Sequence, residues 1–178
     1  MRLALPALTF GLLTAVSIAQ VDAQTLQIPM QLVDAKGGGK SIGTITVRST
    51  TDGVTFTPNL EGLPPGAHGF HIHEKPSCDA AADPAKNKVM PAQAAGGHLD
   101  PEKTSRHEGP TGLGHLGDLP ALTVDNSGKA TTPVVAPRLK ASDLSGHSLM
   151  IHAGGDNYSD SPEKLGGGGE RIACGVIP

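Results

Sequence analysis

The chain has very few aromatic side chains: its 178 residues include three phenylalanines, one tyrosine and no tryptophan. Proteins that bind single-stranded nucleic acids stack bases on aromatic side chains, and nucleic-acid-binding domains in general carry basic surfaces. The formal net charge here is −3 at pH 7, so both features argue against a nucleic-acid partner. The scarcity of aromatics also argues against a large apolar ligand pocket.

Cysteine is equally scarce, because Cys78 and Cys174 are the only two in the chain. They do not form a Cys-x-x-Cys pair, which excludes a thioredoxin-type motif and a zinc ribbon. In an oxidising compartment, two cysteines this far apart favour a disulfide over two free thiols or two thiolate ligands.

The N-terminus indicates that the protein reaches such a compartment. Met1-Arg2 provides a positive start, residues 3–18 are almost all apolar, and small residues then offer cleavage after Ala19 or Ala23. This order is typical of a secretory signal peptide, whereas a transmembrane anchor needs a longer apolar span. We therefore expect residues 1–23 to be a signal peptide and residues 24–178 to form one domain with no membrane attachment after cleavage.

The hydrophobic pattern predicts an all-β fold. Apolar and polar residues alternate in segments 25–33, 42–48, 54–57 and 121–124, and the pattern recurs in 132–136. Turn-forming residues occupy 34–40, 51–53 and 125–128. Short strands at this spacing favour a β-sandwich or barrel, with a turn of helix expected only within residues 138–146. Two long irregular stretches, 74–120 and 153–170, carry candidate ligands, so we expect them to be functional loops.

The placement of the histidines carries the strongest functional signal. Two of them stand two residues apart in a strand-like segment, and such residues point to the same face of a strand. Imidazole nitrogens suit borderline metals such as copper and zinc, whereas calcium and magnesium prefer oxygen. The set is large enough for two ions. The candidate ligands are His71, His73, His98, His107, His115, Asp118 and His152.

Two further histidines do not fit this pattern. His68 lies three residues before His71 and therefore on the opposite face of a strand, so we expect it to hydrogen-bond loop backbone. His147 fits no ligand spacing, and we expect it to be exposed.

Four motifs resemble those of copper,zinc superoxide dismutases, specifically the bacterial periplasmic branch, and the resemblance covers residues 26–178. It implies an all-β, Greek-key, Ig-like sandwich or flattened barrel with two long functional loops, in an exported periplasmic enzyme. The motifs are His68-Gly69-Phe70-His71-Ile72-His73, Gly97-His98-Leu99-Asp100-Pro101, Gly114-His115-Leu116-Gly117-Asp118 and residues 166–176.

The same resemblance implies roles for individual residues. It places one copper on His71, His73, His98 and His152, and one zinc on His98, His107, His115 and Asp118. His98 would bridge the metals and carry a proton, Arg171 would attract superoxide, and Asp156 would link copper-side and zinc-side histidines. Cys78 and Cys174 would form the family disulfide. Superoxide would be converted to dioxygen and hydrogen peroxide.

Other interpretations remain at this stage. A non-catalytic, metal-delivering member would lack a copper ligand, the bridge or the arginine, and all are present. A two-zinc hydrolase would need a carboxylate placed as general base beside an open metal position, which the pattern does not offer. Lys86 and Lys88 either extend a positive funnel or are ordinary solvated lysines. A monomer and a homodimer are both compatible with the sequence.

Overall fold

Twelve strands account for most of the regular structure in the computed structural model, which describes residues 25–178. The predicted signal peptide, residues 1–23, lies outside the described residues. The strands are β1 (Thr25–Asp34), β2 (Gly37–Thr50), β3 (Gly53–Glu61), β4 (Gly66–His68), β5 (Phe70–His73), β6 (Ala81–Asp83), β7 (Lys88–Met90), β8 (Leu122–Val124), β9 (Lys129–Ala130), β10 (Val134–Ala136), β11 (Ser148–His152) and β12 (Arg171–Val176). Three short 3₁₀ turns lie at Gln93–Ala95, Ala141–Asp143 and Lys164–Gly167.

The strands form a flattened antiparallel barrel. Their hydrogen-bonded order is β10-β3-β2-β1-β12-β11-β5. The first and last strands of the chain, β1 and β12, are therefore neighbours in the sheet. The other side closes through short pairs: β3 pairs with β9, a turn leads from β9 back to β8, and β8 pairs with β4. Only Gly69 separates β4 from β5. This arrangement confirms the predicted all-β, Greek-key fold, which leaves few open strand edges.

The predicted strands are present, with differences at their ends. The segment 34–40 is not all turn: Asp34 pairs with Gly37, and the turn contains only Ala35 and Lys36. The Asp34 carboxylate accepts a hydrogen bond from the Lys36 amide at 2.6 Å. This hydrogen bond closes the turn at Lys36, and β2 begins at the next residue. The predicted strand 132–136 is β10, and β9 precedes it. The helical turn expected within 138–146 is the 3₁₀ turn at Ala141–Asp143.

The core lies between the flattened walls of the barrel. Along β3 the residues Val54, Phe56, Pro58 and Leu60 are buried while Thr57 and Asn59 between them are exposed, as the period of two predicts. Phe56 packs edge-to-face on Phe70 of β5, with ring centroids 5.7 Å apart and both side chains fully buried. This contact ties the wall of the core to the strand that carries two candidate ligands. Within residues 25–178, no helix is long and apolar enough to cross a membrane.

The Phe56–Phe70 contact predicts a large stability effect. Replacing Phe56 with alanine leaves a cavity, and we expect the free energy of unfolding to fall by about 3–5 kcal/mol. Urea unfolding of the metal-free, disulfide-intact protein measures this change. The control is Val135→Ala on β10, where the side chain is 41% exposed and the expected change is within about 0.5 kcal/mol. Equal effects of the two substitutions would contradict this account of the core.

Candidate metal centre

The centre is built on β5, whose four residues are all buried. The side chains of Phe70 and Ile72 belong to the hydrophobic core, so those of His71 and His73 project from the other face of the strand. One edge of β5 pairs with β11, where Met150 lies opposite His71. The two histidines therefore stand on a strand that neighbouring backbone holds in place.

Loop residues complete the other edge of β5. The amide and carbonyl of Ile72 are both hydrogen-bonded to the first long loop, at 2.9 and 2.8 Å. His71 forms a β-bridge with Asp118, and His73 forms one with His98. Two distant parts of the loop thus follow β5 as short strand-like segments. This pairing brings the candidate ligands of the loop into register with those of the strand.

Hydrogen bonds orient three rings toward one point. His71 donates Nε2–H to Asp156 Oδ2 at 2.8 Å, while His73 and His152 each donate Nδ1–H to a backbone carbonyl, at 3.0 and 3.3 Å. Carboxylates and carbonyls only accept hydrogen bonds, so lone pairs remain on His71 Nδ1, His73 Nε2 and His152 Nε2. The donor atoms of these rings and of His98 lie within 4.8 Å of one another.

A second group surrounds the carboxylate of Asp118. The Nδ1 atoms of His98, His107 and His115 lie 2.9, 3.0 and 3.3 Å from its oxygens. All four residues are buried. A tetrahedral zinc with bonds of about 2.0–2.1 Å places its ligand atoms about 3.3 Å apart, which is close to this spacing.

Two side chains connect the groups. Asp156 accepts from His71 Nε2 through one oxygen and from His107 Nε2 through the other, both at 2.8 Å. His98 belongs to both sets of converging donor atoms, and its ring stacks on that of His71 with centroids 4.0 Å apart. The second compact set consists of His71, His98, His107 and Asp118 and does not include His115. Because Nε2 of His71 is hydrogen-bonded to Asp156, His71 has one nitrogen left for a metal, whereas His98 can offer two.

Burial and charge divide five of the candidate ligands, His71, His73, His98, His107 and His152, into two classes. Burial lowers the pKa of His71, and lowers those of His73 and His152 well below the ordinary 6.5. Burial, together with the neighbouring His71, lowers the pKa of His98 to about 3. These rings are therefore neutral near pH 7, the form that binds metals.

His107 belongs to the other class. Burial alone would lower its pKa, but the carboxylates beside its two nitrogens, Asp118 and Asp156, raise it to about 9. Burial would likewise raise the pKa of each carboxyl, but the histidine nitrogens beside their oxygens hold both pKa values far below the usual range. Two anionic carboxylates and a cationic His107 therefore occupy this group when no metal is bound.

Arg171 lies at the start of β12, beside the first group. Its two terminal nitrogens donate to the carbonyls of Ala92 and Gly96, each at 2.6 Å. Burial lowers the pKa of Arg171, but a guanidinium remains charged at any relevant pH. Three residues further along β12, Cys174 forms the predicted disulfide with Cys78. The disulfide and the arginine thus anchor the same stretch of the first long loop.

A cavity of about 180 Å³ opens onto these groups. His73, His98, His152 and Arg171 line it, which places a cation and candidate ligands around one small space. Lys86 also lines this cavity, whereas Lys88 lies exposed on β7 and is not part of the lining. The two lysines therefore differ, because Lys86 lies at the cavity and Lys88 does not.

The two histidines that did not fit the ligand pattern have structural partners. The ring nitrogens of His68 lie 2.7 and 2.8 Å from the carbonyl oxygens of His152 and Pro64, as expected for a residue that holds loop backbone. The prediction of an exposed His147 was wrong, because the residue is half-buried and donates from Nδ1 to the carbonyl of Glu74 at 2.8 Å.

Sequence reasoning missed several residues at the cavity. The carbonyls that hold Arg171, the side chains of Met90 and Gln93, and Leu165 all contribute to this region. Asp160 was also missed, although its carboxylate accepts a hydrogen bond from the His107 amide at 2.9 Å. None of these residues has a characteristic spacing, so no sequence signal could have identified them.

The buried nitrogens indicate that metals fit this centre. The Nδ1 atoms of His71, His107 and His115 are buried and form no well-directed hydrogen bond. Leaving buried polar atoms unpaired is costly, and such atoms call for an ion or other partner. An all-nitrogen group suits copper, and a group of nitrogens with one carboxylate suits zinc.

Comparison with known proteins agrees with this chemistry. Residues 41–177 match the family model of copper/zinc superoxide dismutase (SODC). The chain is 53% identical to superoxide dismutase [Cu-Zn] of Escherichia coli (strain K12) over 170 residues, which cover 95% of this chain and 97% of that relative. It is 47% identical to the protein of that name from Neisseria meningitidis serogroup A over 180 residues, 96% of each chain.

Solved structures give the same result. The Cu/Zn superoxide dismutase from Brucella abortus superposes with a TM-score of 0.84 at 49% identity, covering 87% of this chain and all of that one. The monomeric copper, zinc superoxide dismutase from Salmonella enterica gives 0.78 at 56% identity, again over 87% of this chain and 100% of the other. The chain therefore belongs to the copper/zinc superoxide dismutase family, whose enzymes use copper and zinc to convert superoxide to dioxygen and hydrogen peroxide.

Proposed function

We propose that the two groups of converging donors hold the two metals of this dismutase. The first group, proposed for copper, is His71, His73, His98 and His152. The second, proposed for zinc, is His98, His107, His115 and Asp118. The observation that supports this division is the position of His98, which lies in both compact sets of donor atoms and also lines the cavity.

The two metals supply different chemistry when bound: copper accepts and returns one electron, while zinc is redox-silent and contributes charge and geometry. The protein supplies orientation. Asp156 fixes the ring orientation and tautomer of His71 and His107 together, since one carboxylate accepts from both. The backbone carbonyls that accept from His73 and His152 do the same for those rings.

His98 and Arg171 act on the substrate and its protons. His98 faces Asp118 through Nδ1, so Nε2 is the nitrogen that can take up a proton and pass it to the peroxide in the cavity. Arg171 attracts and orients superoxide: two carbonyls fix its guanidinium, and its remaining N–H groups are available to an anion. Because the net charge is −3, this attraction has to be local.

We further propose that residues 1–23 direct export to the periplasm and that residues 24–178 form the mature domain. The signal-like N-terminus, the disulfide and the bacterial relatives support this proposal. The relative described as monomeric, at 56% identity, supports a monomer rather than a homodimer. The intact mass of the mature chain locates cleavage after Ala19 or Ala23, and sedimentation gives the oligomeric state.

The division of ligands predicts that single substitutions remove different metals. We expect His152→Ala to lose copper, keep zinc and lower superoxide consumption by more than about a hundredfold, since an entire ligand is lost. We expect His107→Ala to lose zinc preferentially. Metal content per chain, measured together with activity, tests both. His147→Ala is the control and should retain both metals. Retention of copper by His152→Ala would contradict the assignment, and full loading of an inactive wild-type protein would contradict the catalytic roles.

The raised pKa of His107 predicts that zinc uptake releases protons. With a pKa of about 9, metal-free His107 is protonated at pH 7.5 and must lose about one proton before Nδ1 can bind zinc. The release should decline as the pH rises through the pKa. Calorimetric titration in two buffers of different ionisation enthalpy measures it. Asp156→Asn removes one of the carboxylates that raise the pKa, so it should release fewer protons at pH 7.5. Zinc uptake without proton release would contradict the assignment of His107 as a zinc ligand.

The position of Arg171 predicts an electrostatic effect on substrate capture. We expect Arg171→Ala to lower kcat/KM by roughly tenfold to a hundredfold and to weaken its dependence on salt, while Arg171→Lys retains part of the rate. Pulse radiolysis at several ionic strengths measures this, with copper content determined in parallel. Arg106→Ala removes the same charge from an arginine that is paired with Glu108 away from the cavity. An equal loss in both variants would show that only net charge matters.

A further inference from the structure

Asp160 joins the two long loops through a single carboxylate. Its Oδ2 accepts a hydrogen bond from the amide of His107 at 2.9 Å, and its Oδ1 accepts one from the amide of Leu165 at 3.1 Å. Hydrogen bonds to an ionised carboxylate are stronger than neutral ones. The backbone of a proposed zinc ligand and that of a residue in the second loop are therefore held to one rigid group.

Leu165 forms part of the wall of the cavity beside Arg171. It lines the space with His98, His152 and Arg171, and its side chain is 43% exposed. Its backbone angles are φ 55° and ψ 44°, in the left-handed region that branched residues rarely adopt. Such a conformation persists only where surrounding contacts impose it. The bond from Asp160 is one such contact.

The next residue provides a second contact with the zinc side. Gly166 packs so closely that a Cβ atom there would overlap Asp156 Oδ1 and lie 2.8 Å from His107 Nε2. The backbone that follows Leu165 thus packs against the hydrogen bond between Asp156 and His107. A shift of His107 would therefore reach Leu165 by two routes. One runs from the His107 backbone through the Asp160 carboxylate to the Leu165 amide. The other runs from the His107 ring to Gly166, the residue after Leu165.

We propose that Asp160 is a positioning residue that couples occupation of the zinc group to the fit of a small anion in the cavity. The inference rests on the proposed assignment of His107 to zinc. When zinc fixes His107, Asp160 holds the Leu165 wall in the conformation described here. When the zinc group is empty, the wall is released and the anion fits less well.

Azide, a small anion, tests the coupling in the whole protein. Its dissociation constant is measured from the visible spectrum of copper-loaded protein, with and without one zinc per chain confirmed by metal analysis. In wild type we expect zinc to tighten azide binding by about fivefold or more. In Asp160→Asn, where an amide N–H₂ replaces one acceptor oxygen, we expect this zinc effect to shrink by roughly threefold or more at full zinc occupancy.

One further variant is a control and another is a second test. Asp125→Asn alters a carboxylate that also accepts two backbone bonds, from Ser127 at 2.8 Å and Lys129 at 2.9 Å, in the turn between β8 and β9. It should keep the wild-type zinc effect. Leu165→Ala removes the wall side chain but keeps the backbone amide bonded to Asp160, so it should reduce the zinc effect without loss of zinc. It decides the question if Asp160→Asn folds poorly.

The outcomes separate the coupling from the ligand assignment. A wild-type zinc effect retained in zinc-loaded Asp160→Asn, or in Leu165→Ala, would overturn the coupling. Retention of zinc by His107→Ala would instead overturn the assignment of His107. Loss of zinc from His107→Ala, with an unchanged zinc effect in Asp160→Asn, would leave the assignment intact and refute only the role of Asp160.

Discussion

The centre depends on one constraint: polar atoms buried in a protein must be paired. Six imidazoles and the side chains of two aspartates lie buried together, and an unpaired group there costs several kcal/mol, on the order of 2–7. His71, His73, His107 and His152 each meet part of this requirement by bringing one nitrogen to a carboxylate or carbonyl oxygen. In these four rings the same contact leaves the other nitrogen available to a metal. The bonds that make burial tolerable are therefore the bonds that set the ligand geometry.

The barrel makes this arrangement rigid where the loops alone could not. β5 lies between β11 and two loop segments, so the backbone of five proposed ligands belongs to one local sheet. Farther out, the loops are attached at a few points: the Cys78–Cys174 disulfide, the two bonds of Arg171 and the carboxylate of Asp160. Each attachment removes conformational freedom from the loops, so the side chains that they carry keep fixed positions at the centre.

Much of the fold was predictable because strand periodicity is a local property. The alternation in β1, β2 and β3 follows from residues two apart facing the same side, and each was predicted in nearly the right place. The errors have local causes too. Glycines at 37–39 suggested a turn, but glycine permits a turn without requiring one, and strand pairing took precedence. The strands β6, β7 and β9 contain two or three residues each, too few for a period to be visible.

The residue types and their spacing were enough to indicate the metals, the face of β5 that carries His71 and His73, and the pairing of the only two cysteines. The tertiary structure decided which nitrogens of His71, His73 and His152 are free, that His98 lies in both compact sets of donor atoms, that Lys86 rather than Lys88 lines the cavity, and that Asp160 joins the loops. These features depend on distances of a few ångströms between residues far apart in the chain. Sequence spacing does not encode such distances, because only folding brings those residues together.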